Sequence, residues 1–276
     1  MTDSFYVPDG DRFVSSQLTR GPWDPDSQHA GPPAALIGRA LERCPSPREE
    51  DAPGEWHFGR MTFEILRAVP IAPLRVEARV ARPGRSVELV EATLTDDSEV
   101  LIRATAWRLR AAGVELPAGL ASKQAGSPVR RPGTPAGPGE GADAPFFPTG
   151  EEVGYHSAME RRFVAGSFLD LGPATVWMRT RHPLVHGEQP TPLQRVLIAA
   201  DSGNGVSATL DYARYLFINV DLSVHLHRLP AGEWVCLEAI TTPEPAGVGL
   251  ADTLLHDQHG PIGRALQTLL VRERSG

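Results

Sequence analysis

The chain has little cysteine, no long apolar run and no excess of positive charge, and each absence narrows the classes of function open to it. Only Cys44 and Cys236 occur in 276 residues. They lie far apart in apolar contexts and read as buried thiols before disulfide or nucleophile. No stretch approaches the roughly 20 consecutive apolar residues that a membrane-spanning helix needs, so no membrane partner is expected. The opening Met1-Thr2-Asp3-Ser4-Phe5 carries no basic segment followed by an apolar one, which makes the cytoplasm the expected compartment. Acidic residues outnumber basic ones, 34 to 27, for a net charge of −7, and a nucleic-acid partner is therefore not expected. A G-x-S-x-G elbow is missing, which argues against a serine hydrolase of the α/β type. His225 and His227 share a strand face but no third ligand is spaced to join them, so no metal is expected. Gly247-Val248-Gly249 lacks the following helix of a phosphate loop, and nothing else calls for a cofactor.

What the chain does have is an internal repeat. Pro32, Pro70, Thr93 and Leu94 recur as Pro192, Pro230, Thr253 and Leu254, each at an interval of 160 residues. Residues 113–150 hold 15 Gly or Pro and few apolar side chains, so they are expected to be a linker unable to bury enough surface to order itself. The expected organisation is a domain over 1–112, the linker over 113–150 and a second domain over 151–276. Either domain is large enough for a core of its own.

Each copy repeats one order of elements. A short strand at Arg12-Phe13-Val14 or Arg162-Phe163-Val164 precedes a helix, with Pro32 and Pro33 in the first turn of one, and Thr191 as cap and Pro192 at N1 of the other. The helices are expected to run to about Leu41 and Asp201. Strands follow. The clearest is Phe217 to Pro230, in which Ile218, Val220, Leu222, Val224 and Leu226 alternate with Asn219, Asp221, Ser223, His225 and His227. That periodicity taken alone puts Asn219 on the polar face. A hairpin turning at Asp96-Asp97-Ser98 or at Asp257-Gln258-His259-Gly260 closes each copy. The expected fold class is α+β, one principal helix covered by an antiparallel sheet in each copy.

Order of elements, duplication and particular residues resemble the double hotdog acyl-CoA thioesterases, above all the type II, TesB-like family. The resemblance implies a tandem (double) hotdog with the site between the two copies and a triad of Asp, Thr or another small polar residue, and Gln from the C-terminal copy. The helix aspartate falls on Asp201 in Ala199-Ala200-Asp201-Ser202. The small polar position, which opens the family pattern Thr-Ile-Asp-His-Ser ending in His-Arg, falls on Asn219 in Asn219-Val220-Asp221-Leu222-Ser223, followed by His227-Arg228. The glutamine falls on Gln267, five residues before Arg272. Asn in place of Thr departs from the pattern. Gln28-His29-Ala30-Gly31 is similar to the family's Gly-Gly-Gln helix entry with only Gly31 preserved, which makes Gly31 and His29 candidates for substrate binding.

The chemistry of these residue types fits thioester hydrolysis without a covalent intermediate. Asp201 ends a helix, where the dipole disfavours negative charge, so its presence there points to function; burial would raise its pKa and make it a better proton acceptor. Asn219 and Gln267 carry amides that can hold a carboxylate or a water without titrating. The N–H groups of the helix that opens at Gly31 offer an oxyanion site. Their first-copy partners are read as Leu41, Gly59 and either Ala106 or Trp107, none of which replaces them. The bland alternatives are a solvated helix-end Asp201, a surface Asn219 and a structural Gln267. At the level of function the alternatives are a non-catalytic acyl-CoA-binding hotdog and a hydratase-type double hotdog, the latter weakened because Asp201-Ser202-Gly203-Asn204 lacks the Pro and His of a D-x-N-P-x-H loop. The expected partner is an acyl-CoA small molecule, and a homo-oligomer is expected because hotdog sheet edges pair with neighbours.

Overall fold

The computed structural model describes residues 3–50, 54–118, 133–146 and 148–274. The N-terminal half contains β1 (Tyr6–Asp9), β2 (Arg12–Ser15), helix α1 (Gly31–Arg43), β3 (Trp56–Ile65), β4 (Pro73–Arg82), β5 (Val87–Thr95) and β6 (Val100–Arg110). The C-terminal half contains a helical turn α2 (Tyr155–Ala158), β7 (Met159–Ala165), β8 (Ala174–Thr180), helix α3 (Pro192–Ala200), a second turn α4 (Gly203–Val206), then β9 (Tyr215–Asn219), β10 (Asp221–Leu226), β11 (Val235–Pro243), β12 (Val248–Asp257) and β13 (Gly260–Glu273). The strands form one antiparallel sheet in the order β1-β2-β4-β5-β6-β3-β10-β13-β12-β11-β8-β7, with β9 paired to β13. Each half of the sheet wraps its own helix, which is the double hotdog arrangement, α+β in class.

The apolar stripe of α1 explains the wrapping. Leu36, Ile37 and Leu41 are fully buried, as are Val196, Leu197 and Ile198 on α3, and each contributes about 2 kcal/mol by leaving water. The two helices also pack on each other. A Cβ on Gly31 would collide with the Ile198 carbonyl, and one on Gly38 with the Leu197 side chain, so glycine at both positions sets the interhelical approach. As a result a single core runs through both halves.

The halves are joined at β3 and β10, where Thr62 pairs with Ser223 and their hydroxyls lie 3.2 Å apart. A perpendicular two-fold axis in an antiparallel pair must pass through directly opposed residues, here Thr62 and Ser223, 161 positions apart. Bulges agree with that interval, because Gly59 is skipped in β3 and Val220 lies between β9 and β10. The strand interval is therefore 161 and not the 160 read from the sequence. Burial agrees as well: Leu94 is buried in β5, but in β12 the buried residues are Thr253 and Leu255, with Leu254 half-buried.

Two further expectations change. The strand expected to run unbroken through Phe217–Pro230 is interrupted at Val220. A one-residue bulge reverses which side chains face the core, so Phe217 points inward on β9 and Leu222 and Val224 on β10, whereas Ile218 and Val220 are exposed at 43% and 46%. In the segment read as linker, residues 119–132 and 147 lie outside the described residues. Its later part packs on the C-terminal half: Ala142 bridges to Phe163, Trp177 Nε1 donates to the Ala136 carbonyl at 2.6 Å, and Phe146 meets Phe168 edge to face. The helix ends are close to expectation, with α1 extending to Arg43 and Asp201 capping α3. Both cysteines are buried free thiols.

Candidate active site

Asp201 lies where the C-terminal end of α3 meets the N-terminal end of α1. Its carboxylate is 4% exposed. Asn219 Nδ2 donates to Oδ1 at 2.8 Å and Gln267 Nε2 to the same oxygen at 3.1 Å, while Oδ2 faces His29 Nδ1 at 3.1 Å. Backbone N–H groups of Ala30 and Gly31 also donate to the carboxylate. Helix α3 has a Thr191–Gln194 capping box, but α1 has no side-chain cap. Its first N–H groups find their acceptors in Asp201 and in His29 Nδ1, which takes the Gly31 N–H at 3.1 Å. The positive end of α1 thus offsets the unfavourable negative end of α3.

Burial pushes the Asp201 pKa up from 3.8 to about 7, against the pull of the donors from Asn219, Ala30, Gln267 and Gly31. His29 is driven the opposite way for the same reason, down from 6.5 to about 3, and stays neutral at ordinary pH. The pair shares one proton position. When Asp201 is protonated, its O–H and the Gly31 N–H compete for the single Nδ1 lone pair, whereas ionised Asp201 calls for the Nδ1–H tautomer, which accepts from neither.

The bulge at Val220 is what brings Asn219 inward. Without it the alternation of the strand would place Asn219 on the outer face and an apolar side chain beside Asp201. Gln267, 1% exposed on β13, ties three pieces together: Nε2 also donates to the Asp201 carbonyl at 3.1 Å, and Oε1 accepts the Asn204 N–H at 3.1 Å at the start of α4. All of its polar atoms are engaged, so its place is behind the carboxylate. By the 161 interval the counterparts of Asn219 and Gln267 are Phe58 and Ala106, and the helix counterpart of Asp201 is Leu41. All three are buried and apolar. Asn219 is thus matched by Phe58 and not by Gly59, and of the two partners considered for Gln267, Ala106 is the one present. At the dyad-related helix junction, Glu42 accepts from Thr191 Oγ1 and Gln194 Nε2 and closes the capping box of α3.

His29 and Gly31 separate in their roles. His29 stacks on Tyr155 with ring centres 3.7 Å apart and lines a narrow cleft of about 40 Å³ next to Asp201, together with Trp23, Phe146, Arg161, Phe168, Ser202 and Asn204. Gly31 is buried against Ile198 and its N–H is taken by His29 and Asp201, so it is not free to bind an oxyanion as the sequence reading supposed. Tyr155, which the sequence did not single out, donates to the Ile198 carbonyl at 2.7 Å and meets Ser202 Oγ at 2.9 Å, pinning the end of α3. Its one signal was position: an aromatic residue immediately after the Gly/Pro-rich stretch. His225 and His227 are exposed, and no cluster suited to a metal occurs among the described residues.

Residues 19–109 match the acyl-CoA thioesterase N-terminal domain and residues 138–271 the acyl-CoA thioesterase C-terminal domain. The chain belongs to the acyl-CoA thioesterase family. It is a thioester hydrolase by that membership. Solved structures with the same fold include a protein assigned as a thioesterase II from Thermobifida fusca YX, 16% identical with a TM-score of 0.72 over 98% of this chain and 96% of that one. A conserved hot dog fold protein of unknown function from Alicyclobacillus acidocaldarius is 18% identical with a TM-score of 0.68, over 98% and 96% of the two chains. The acyl-CoA thioesterase II TesB2 of Mycobacterium marinum is 16% identical with a TM-score of 0.64, over 97% and 94%. No curated protein matches at the sequence level. Among the described residues no helix is long and apolar enough to cross a membrane.

Proposed function

We propose that the chain hydrolyses acyl-CoA to free acid and CoA with Asp201 as general base, by direct attack of water and without an acyl-enzyme. The observation that carries this reading is the Asp201 carboxylate itself, buried at the meeting of two helix ends, surrounded by donors and holding a pKa of about 7. A base of that pKa is half ionised near neutrality, where it both exists as the anion and has driving force to take a proton from water. Asn219 and Gln267 act on the carboxylate: both donate to Oδ1 and so fix its plane, leaving Oδ2 as the oxygen beside His29 and the cleft. Of the two roles open to the amides, holding the carboxylate or holding a water, this reading takes the first.

His29 responds to the charge of Asp201 by tautomer and forms the cleft wall next to it. Ser202 and Asn204 are the polar side chains of the cleft that follow Asp201, and they supply the surface for the thioester carbonyl. The leaving group is a thiolate, stable enough to depart without a dedicated acid. Residues 1–112 and 151–276 form the two hotdog copies, with 113–150 between them. A cytoplasmic location and a homo-oligomeric state belong to the same reading, the latter supported by Leu169 and Leu171, 53% and 58% exposed in the connection between β7 and β8. Replacement Asp201→Asn tests the base: kcat should fall by about 10³-fold with KM little changed, and turnover within tenfold of wild type would rule Asp201 out.

A further inference from the structure

Beside Asp201 the cleft runs between aromatic rings, and one cation is set into its wall. The Arg161 guanidinium carbon lies 5.0 Å from the ring centres of both Phe146 and Phe168. Its Nε is buried without an acceptor, and the guanidinium makes no hydrogen bond or ion pair among the described residues. Neighbouring arginines differ: Arg162 and Arg179 share Glu160, and Arg20 pairs with Glu151. The charged and titratable groups that act on Arg161 are exposed Asp143, the Tyr155 hydroxyl and Arg181, and none of them bonds to it.

An arginine with five donors and no acceptor in a half-buried aromatic setting is poorly compensated until something anionic arrives. The cation–π contacts hold its place without neutralising it. Tyr155 feels the charges of both Asp201 and Arg161, and the cleft is lined by Arg161 and by Ser202, the residue after Asp201. A thioester carbonyl presented to Asp201 therefore leaves its acyl chain to pass the rings of Tyr155, Phe146 and Phe168 and meet Arg161. The phosphates of CoA are bulky and strongly hydrated and suit an open basic surface. A narrow aromatic-walled cleft with a single guanidinium suits a short chain ending in a planar carboxylate, which the fork of arginine matches in shape.

We propose that Arg161 is a specificity-determining residue that selects short acyl groups ending in a carboxylate, the CoA monothioesters of dicarboxylic acids, over methyl-terminated acyl groups of similar length. The inference rests on the reading that the thioester is hydrolysed at Asp201.

The test is kcat/KM on matched pairs, glutaryl- and adipyl-CoA against hexanoyl- and heptanoyl-CoA, for wild type, Arg161→Met and Arg161→Lys, with melting curves for each. Wild type should favour the carboxylate-ended substrates by at least about tenfold. Arg161→Met should cut their kcat/KM by roughly 100-fold, because the charge loses its partner, and leave the alkyl substrates within about threefold. Arg161→Lys should keep part of the preference. If the methionine variant melts below the assay temperature, the wild-type ratio and the lysine variant decide. A wild type that prefers the alkyl substrates, or an equal loss on both classes in Arg161→Met, overturns the assignment. Full activity in Asp201→Asn would instead overturn the reading beneath it, so the two failures are distinguishable.

Discussion

Asp201→Asn should make the protein more stable at the pH where it makes the enzyme inactive. The folded-state pKa of Asp201 is about 7, against 3.8 for an unperturbed carboxyl. Between those values the unfolded chain is ionised there while the folded chain keeps its proton, so stability falls as pH rises through this window, by about 1.4 kcal/mol per pH unit. The loss reaches up to about 4 kcal/mol at pH 7 and is constant above it. Asparagine mimics the protonated acid: its oxygen accepts from Asn219 and Gln267 and its amide faces His29 Nδ1. The variant lacks the charge that burial penalises and therefore lacks this slope. Thermal or urea unfolding of both proteins at pH 4, 5, 6, 7 and 8 checks the prediction. The stability gap should be near zero at pH 4, open through pH 7 and level off at pH 8, where it corresponds to a rise in Tm on the order of 5–10 °C. His29, with a folded-state pKa of about 3, destabilises both proteins as pH falls below 6.5 and cancels in the difference. A gap that does not change with pH, or a wild type more stable than the variant at pH 8, would refute a buried carboxylate of raised pKa at this position.

Other outcomes follow from the same geometry. Wild-type kcat/KM should fall below a midpoint near pH 7 as Asp201 takes up its proton, and Asn219→Leu, by removing a donor that favours the anion, should move that midpoint upward; a downward shift in the pH–rate profile contradicts the hydrogen bond. Gln267→Leu strands the Asp201 carbonyl and the Asn204 N–H and should cost about 2–4 kcal/mol in urea unfolding along with most of the activity, so a variant of unchanged stability would mean that the glutamine is not a tie between β13 and α4. Gly31→Ala pushes a methyl group against the Ile198 carbonyl, and calorimetry should show a loss of roughly 1–3 kcal/mol; a neutral result would mean that the helices can part without cost.

Much of this site was legible in the sequence because its signals are local. Thr191-Pro192 and Pro32-Pro33 mark the helix starts by backbone chemistry that neighbouring residues cannot undo. A polar residue matched to Leu41 in the other copy was enough to single out Asp201. What escaped was decided by single residues or by contacts between the copies. The bulge at Val220 leaves no compositional trace, since valine is a good strand residue, yet it reverses the parity of β9 and turns Asn219 from the outer face to Asp201. Its counterpart in the other copy is Gly59, skipped in β3, so the strand interval is 161 on both sides of the bulge and Asn219 is matched by Phe58. Gly31 looked like an oxyanion donor because nothing in the sequence shows that the ring of His29, two residues before it, turns back to accept its N–H. Nothing in the sequence sets Arg161 apart from Arg162, because its place against the rings of Phe146 and Phe168 is a tertiary contact.

The seam at β3 and β10 has a kinetic meaning. Asp201 is held by one half of the chain and by the leading N–H groups of α1 from the other, so its surroundings exist only when both halves meet. Two separate hotdogs would have to find each other, and the fraction of assembled sites would fall on dilution. Joined in one polypeptide, the halves meet at an effective concentration set by the connecting segment, commonly in the millimolar range. The contacts around Asp201 therefore stay complete however dilute the protein becomes.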